Sequence, residues 1–302
     1  MSVKTVVITG ANSGIGYQAT QHFAQLGWRV VMACRSLDKA EKALAEIKTA
    51  VPEGNITILK LDVSDLESVC SFVEAFKAEI GQLDILINNA GIVAIPLTRN
   101  AAGHEQQVAT NYLGAFALTG QLLPLFNSDG ECRIVNVCSL AHRFGKLVVE
   151  NLNWEESEYN EWKGYANSKV AMMSHTLELN RRLQAAGSNI IAVGAHPGFA
   201  NTNIHQNSPS LSKERKGLSK WFHSKMERLI PTAADAARPI ILAAEGVDVA
   251  GGDYYGPGGF LEIGGKPAKA RINKVAKDSE LAKQLWQKSE AMTDVSFLSE
   301  AK

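Results

Sequence analysis

Tyr165 and Lys169 stand four apart in the run Tyr-Ala-Asn-Ser-Lys. On a helix that spacing puts both side chains on one face, one turn apart. An ammonium so close to a phenol favours the phenolate and is expected to lower the tyrosine pKa from its ordinary value of about 10. Such a tyrosine can give a proton to a carbonyl oxygen or take one from an alcohol. Alone, the pair says little, because Tyr-x3-Lys also arises on ordinary solvated helix faces. A glycine-rich loop near the amino terminus changes its weight. Thr9-Gly10-Ala11-Asn12-Ser13-Gly14-Ile15-Gly16 closes an apolar run and opens a helical one. Glycines there allow positive φ and let the backbone approach a pyrophosphate at the helix amino terminus. The spacing is Gly-x3-Gly-x-Gly rather than the commoner Gly-x-Gly-x-x-Gly. A proton-transfer pair and a dinucleotide loop in one chain read as a redox enzyme.

Cofactor choice is expressed at the end of the second strand, where an acid would bind the ribose 2′-hydroxyl. Counting about twenty residues on from the loop reaches Cys34-Arg35-Ser36, with no acid. A guanidinium suits a 2′-phosphate by charge-assisted, bidentate hydrogen bonding. Arg35 therefore favours NADP(H), with Ser13 or Lys39 assisting and NAD(H) as the alternative.

The elements that must position these residues follow from the hydrophobic pattern. Apolar runs at Val3–Thr9, Arg29–Cys34, Asn55–Leu61, Leu83–Asn88, Cys132–Ser139 and Asn189–His196 predict strands, several of them buried on both faces. Amphipathic segments Gly14–Leu26, Asp38–Ala50, Asp65–Ile80, Glu105–Phe126 and Tyr159–Ala186 predict helices between them. Ser64, with Glu67 three residues on, predicts a capping box. Repeated βα units of this length imply an α/β fold, a doubly wound (Rossmann-type) parallel sheet of about seven strands flanked by helices. After about residue 200 the rhythm breaks. Residues 211–230 are basic and amphipathic, with Trp221, Phe222 and Met226 at helical spacing. A helix is expected after Pro231, then a short strand at Gly252–Tyr255. The tail Asp278–Met292 carries Leu281, Leu285, Trp286 and Met292 near one side and should pack back on the domain or on a partner subunit. We expect one NAD(P)-binding domain over 1–302, with a lid insertion at about 205–230 and a carboxyl-terminal extension at about 265–302.

Composition narrows the function classes. Lys and Arg total 31, as do Asp and Glu, so nothing global favours nucleic acid. Cys34, Cys70, Cys132 and Cys138 have no CxxC or metal-ligand spacing and read as buried, reduced thiols. His104-Glu105 begins a zincin-like pattern, but Val108 stands where the second histidine belongs, so no metal is expected. The apolar run from Val3 leaves no room for a signal peptide, and no stretch approaches the roughly 18 apolar residues of a membrane span. The expectation is a cytoplasmic protein without stable membrane insertion, compatible with a homo-oligomer. His142, three residues after Ser139, is read either as lining a substrate pocket or as a surface-loop residue. His196, before Pro197, is read as a satisfied strand-end residue.

The motifs Thr9–Gly16, Asp62-Val63, Asn88-Asn89-Ala90-Gly91, Asn111, Ser139, Tyr165–Lys169 and Pro197-Gly198 with Thr202 occur in this order across residues 3–205. In this the chain resembles the short-chain dehydrogenase/reductase family, in particular its retinol dehydrogenase-like branch. The resemblance implies a catalytic tetrad of Asn111, Ser139, Tyr165 and Lys169. Ser139 would hydrogen-bond the substrate oxygen, Tyr165 would pass the proton, and Lys169 would act on the phenol and bind the nicotinamide ribose. Asn111 would hold a water through its helix backbone. It further implies cofactor contacts from Gly10, Asn12, Ser13, Gly14, Ile15, Gly16, Arg35, Asp62, Val63, Asn89, Ala90, Gly91, Tyr165, Lys169, Pro197, Gly198 and Thr202. The activity so implied is NADP(H)-dependent interconversion of a carbonyl and an alcohol on an apolar small molecule, a carbonyl reductase. Two alternatives are a double-bond reductase resembling protochlorophyllide reductase and a non-catalytic NADP(H)-binding redox sensor. Residues 206–230 fall where the family places its substrate lid.

Overall fold

The computed structural model describes residues 3–155, 158–198 and 231–299. Its centre is an eight-stranded sheet in the order β3-β2-β1-β4-β5-β6-β7-β8. The strands are β1 (Thr5–Thr9), β2 (Arg29–Cys34), β3 (Ile56–Lys60), β4 (Ile85–Asn88), β5 (Cys132–Val137), β6 (Ile190–Ala195), β7 (Tyr254–Pro257) and β8 (Pro267–Lys269). All pairings are parallel except the last, where Tyr255 faces Lys269 in antiparallel register.

The apolar runs are continuous because each strand is buried on both faces, and alternate residues serve different cores. In β1, Val6 and Ile8 enter one core with Phe23 of α1 (Gly14–Gln25), Ala43 of α2 (Leu37–Ala50) and Ile240 of α7 (Ala233–Glu245). Val7 enters the other core, with Phe72 of α3 (Leu66–Glu79), Phe116 of α5 (Gly114–Leu122), Met173 of α6 (Glu161–Ala185) and Trp286 of α8 (Ser279–Thr293). The chain order reverses between β1 and β4, which opens a crevice at their carboxyl ends. Register aligns those ends: Thr9 lies beside Ala33, Asn88 beside Asn136, and Val137 beside Ala195.

Several expectations need correction. The capping residue of α3 is Asp65, not Ser64: the Asp65 carboxylate accepts the Glu67 N–H at 3.0 Å. The Ser64 hydroxyl instead donates to Asp62 at 2.7 Å. The segment Glu105–Phe126 is not one regular helix. A single turn α4 (Gln106–Val108) passes into a wider π turn at Ala109–Leu113, then α5, then a tighter turn at Leu123–Leu125 that contains Pro124. Proline supplies no N–H to an α ladder, which accounts for the tightened end. The sheet gains an eighth strand inside the expected carboxyl-terminal extension, and β7 sits at Tyr254–Pro257 rather than Gly252–Tyr255. Cys70 is exposed, while the other three cysteines are buried. Residues 206–230 and Thr202 lie outside the described residues. Among the described residues, no helix is long and apolar enough to cross a membrane.

The tail packs back as expected. Trp286 of α8 is 1% exposed and meets Phe116 at 5.1 Å, Phe297 at 4.7 Å and the stacked ring of His175 at 5.4 Å. Arg182 of α6 lies 4.4 Å above the indole and donates to the Leu298 carbonyl at 3.0 Å. In this aromatic box neither nitrogen of His175 meets a hydrogen-bond partner among the described residues, and burial pushes its pKa down to about 3. The native state thus holds His175 neutral, whereas an unfolded chain protonates it below about pH 6.5. The unfolded state binds more protons in that window, so acid draws the equilibrium towards it. Stability should fall as pH drops from about 6 to about 4, and His175→Phe should remove about 1.4 kcal/mol per pH unit of that slope. Denaturant unfolding at stepped pH reads this directly, and equal slopes in the two proteins would contradict a buried, neutral His175.

Candidate active site

The glycine loop leaves β1 at Gly10, whose φ of +65° suits glycine. A Cβ there would lie 3.1 Å from Ala90 Cα, so the loops after β1 and β4 are in close approach. At Gly16 a Cβ would strike the Gly10 carbonyl and come 2.6 Å from Asn89 Nδ2. Thr9 and Asn89 join these two strand ends. The Thr9 hydroxyl accepts the backbone N–H groups of Asn89 and Ala90, each at 2.9 Å, and Asn89 Nδ2 donates to the Thr9 carbonyl at 2.8 Å. Ser13 stands at the amino end of α1 without spending its side chain as a cap. The first N–H groups of α1 are therefore left for another acceptor.

Around this loop lies a cleft of about 290 Å³, lined by Gly10, Asn12, Ser13, Gly14, Ile15, Asn89, Ala90 and Gly91 and, further along, by Arg35, Asp62 and Val63. Twelve of the expected cofactor residues were named along this edge; of these only Gly16 is absent from the lining, its role being the close packing behind it. Ser36, Lys39, Ile92, Ile95 and Thr110 join the wall as well. The last three stand in no glycine or polar motif, which is why motif spacing missed them. Arg35 is largely exposed, with Nη1 3.7 Å from Asp62 Oδ2. A surface pair of that length binds the guanidinium weakly and leaves its donors free. An open helix amino terminus, backbone approached without Cβ atoms, and a free guanidinium fit a dinucleotide with its phosphates.

The four residues of the expected tetrad lie beside this cleft. Ser139 follows β5 and opens the short helical turn Leu140–Arg143, where its Oγ accepts the Ala141 N–H at 3.2 Å. Tyr165 and Lys169 sit on α6, which begins where Asn160 Oδ1 accepts the Lys163 N–H at 3.0 Å. The Ser139 side chain lies near enough to the Tyr165 phenol to draw its pKa down. Lys169 is 5% exposed; its Nζ donates to the Val137 carbonyl at 2.8 Å and lies 6.0 Å from the Tyr165 ring centre. Asn111 occupies the π turn, and its side chain holds Ile92 through Nδ2 to the carbonyl at 2.9 Å and Oδ1 from the N–H at 2.8 Å. Gly91 connects cleft and tetrad. It lines the cleft, and a Cβ on it would stand 3.1 Å from Asn111 Oδ1 and 3.6 Å from Lys169 Nζ.

The electrostatics overturn one expectation. Lys169 does not hold the Tyr165 pKa down: loss of solvent pushes the phenol up to about 12, with the nearby Ser139 side chain pulling the other way. The same burial lowers Lys169 to about 8. Spacing put the ammonium one turn away but could not register the desolvation, which acts on both groups and dominates.

Pro197 and Gly198 follow β6 at the same edge of the sheet. Gly198 has φ +74°, and a Cβ there would strike the Ile263 carbonyl. His196 is satisfied, as expected, with Nε2 3.0 Å from Glu262 and Nδ1 accepting the Gly198 N–H at 3.1 Å. His142 is neither an open pocket-lining residue nor a surface-loop residue; it is fully buried beneath Ser139.

A dinucleotide cleft beside a serine–tyrosine–lysine cluster on a doubly wound sheet defines the class, and comparison with known proteins agrees. The family described as short chain dehydrogenase matches residues 4–212. The chain is 34% identical to retinol dehydrogenase 11 of Homo sapiens over 285 residues, 94% of this chain and 83% of that protein. It is 35% identical to retinol dehydrogenase 14 of Mus musculus over 309 residues, 98% of this chain and 87% of that protein. A solved structure of a putative uncharacterized protein from Mycobacterium paratuberculosis superposes with TM-score 0.79 at 36% identity, covering 97% of this chain and 94% of that one. The 3-ketoacyl-(acyl-carrier-protein) reductase from Brucella melitensis, complexed with NADH, gives TM-score 0.60 at 26% identity, with 83% and 95% covered. The chain belongs to the short-chain dehydrogenase/reductase family and is similar to its retinol dehydrogenases. It is an oxidoreductase of the carbonyl/alcohol type that works with a nicotinamide cofactor.

Proposed function

We propose that this protein is an NADP(H)-dependent reductase of apolar aldehydes or ketones, with Tyr165 as proton donor. The observation that carries the reading is the Tyr165 phenol, beside Ser139 and one helical turn from a buried Lys169, at the carboxyl edge where the glycine cleft ends. A nicotinamide held in the cleft would supply the hydride. Ser139 donates to the substrate oxygen and gathers the negative charge that grows there. A phenol raised to about 12 is protonated at neutral pH and can give its proton to that oxygen. Lys169 brings a positive charge to the same pocket and would donate to ribose hydroxyls of the cofactor, while the π turn at Asn111 would offer a backbone oxygen to a water. Pro197 and Gly198, after β6 at the same edge, would border the nicotinamide.

The apolar substrate follows from side chains left exposed around this edge. Trp162 is 42% exposed with its ring edge-on to Tyr165 at 6.4 Å. Phe144, five residues after Ser139, is 85% exposed, and Arg143 next to it pairs with Glu262 in a loop whose Phe260 and Leu261 are also open. Apolar rings collected around polar reacting groups suit a substrate with one carbonyl on a hydrocarbon body. The NADP preference rests on Arg35, Ser36 and Lys39 sharing the cleft wall with no acid at the end of β2.

Tyr165→Phe should leave NADPH affinity within about threefold and lower turnover of a carbonyl panel by at least about a hundred-fold. NADPH fluorescence titration and absorbance loss measure the two; full turnover in the variant would remove Tyr165 from the chemistry. Arg35→Asp should reverse the order of NADPH and NADH affinities. Equal affinities in the native protein would refute the NADP assignment.

A further inference from the structure

His142 is not among the residues that the family resemblance implies, and its surroundings give it a task. The ring is 0% exposed. Its Nδ1 lies 2.6 Å from the Ser139 carbonyl oxygen, and a carbonyl oxygen only accepts, so Nδ1 carries the proton. Its Nε2 faces the backbone N–H of Asn273 at 3.2 Å, and an amide N–H only donates, so Nε2 is the bare nitrogen. The two partners select the neutral, Nδ1-protonated tautomer. Asn273 holds the turn a second time, its Nδ2 donating to the His142 carbonyl at 2.7 Å while its Oδ1 accepts the Val275 N–H at 2.9 Å. Tyr254 of β7 packs edge-on against the imidazole at 5.2 Å. The charged groups nearby are Arg143 and Glu262, which pair with each other, and His196 bonded to the same carboxylate.

Ser139 needs such support. The last sheet hydrogen bond before it runs from Cys138 N to the Ala195 carbonyl at 2.7 Å, so Ser139 stands one residue beyond the ladder. Among the described residues its carbonyl receives the His142 side chain, the His142 backbone N–H at 3.1 Å and, at 3.5 Å, the Tyr254 hydroxyl. Rotation of that peptide would swing the Ser139 hydroxyl away from Tyr165.

We propose that His142 is a positioning residue: its Nδ1 hydrogen bond to the Ser139 carbonyl, backed by Asn273 from the far end of the chain, sets the angle at which the Ser139 hydroxyl meets Tyr165 and the substrate oxygen. This rests on the reading of Ser139 as the donor to that oxygen. The conservative replacements separate the two ring nitrogens. Asn places an amide donor where Nδ1 stands and keeps the bond to Ser139; Gln places its amide where Nε2 stands and keeps only the Asn273 contact. His142→Asn should hold kcat within about threefold of wild type, whereas His142→Gln should lower kcat about ten- to a hundred-fold, both with unchanged NADPH affinity.

Equal kcat in the two variants, whether high or low, would overturn the proposal, as would a loss confined to KM or to thermal stability. Nitrogen NMR of the wild-type imidazole requires no substitution: it should show the proton on Nδ1 at neutral pH, and a proton on Nε2 or on both nitrogens overturns the assignment. A wild-type protein that binds NADPH but reduces no carbonyl would sink the functional reading and this proposal together. An active wild type with the wrong variant order sinks only the proposal.

Discussion

Desolvation of one ammonium and one phenol, packed on consecutive turns of α6, is the constraint around which this end of the molecule is built. Lys169 is nearly without solvent and spends a donor on the Val137 carbonyl, the last residue of β5. The Tyr165 phenol lies by Ser139, two residues further along the same strand end. Helix and strand must keep a fixed register for both contacts to exist together. That register is set well away from the site: Asn136 Nδ2 donates to Thr176 Oγ1 at 3.0 Å, and Asn88 Nδ2 donates to Asn136 Oδ1 at 2.9 Å. These buried amides tie β4, β5 and α6 into one frame, and leaving any of them unpaired in the core costs about 1–3 kcal/mol.

The cofactor cleft is coupled to that frame through backbone that tolerates no side chain. Gly91 passes close to both Asn111 and Lys169, while Gly10 and Gly16 bring the first loop against Asn89 and Ala90. Thr9 completes the connection by accepting two N–H groups from the loop after β4. The nucleotide loop and the proton-transfer cluster are therefore parts of a single carboxyl edge, where open α/β sheets collect their ligands. The carboxyl-terminal segment supports the same edge from behind, through Asn273 on His142 and Trp286 on the α5–α6 side.

Much of this was readable from residue pattern, and the failures have identifiable causes. Buried parallel strands announce themselves as β-branched runs, so β1, β2, β4, β5 and β6 fell where expected. Pro267–Lys269 is too short and too polar to read as a strand; its pairing depends on Tyr255, which spacing does not reveal. Ser64 and Asp65 both satisfy a capping pattern before Glu67, and only the geometry shows that Ser64 is occupied by Asp62. The Tyr165–Lys169 spacing correctly put the two groups together, but the sign of the tyrosine shift depends on burial, a tertiary property. His142 gave a usable signal, since three residues after Ser139 is one helical turn, yet its second partner stands 131 residues away.

The buried ammonium gives the account its most direct test. With Lys169 lowered to about 8, its charge is held below that pH and lost above it. The kcat/KM profile for carbonyl reduction should be level at neutral pH and fall with a midpoint near 8. A profile that stays level to about pH 10, the ordinary lysine range, would contradict a desolvated Lys169 acting beside Tyr165.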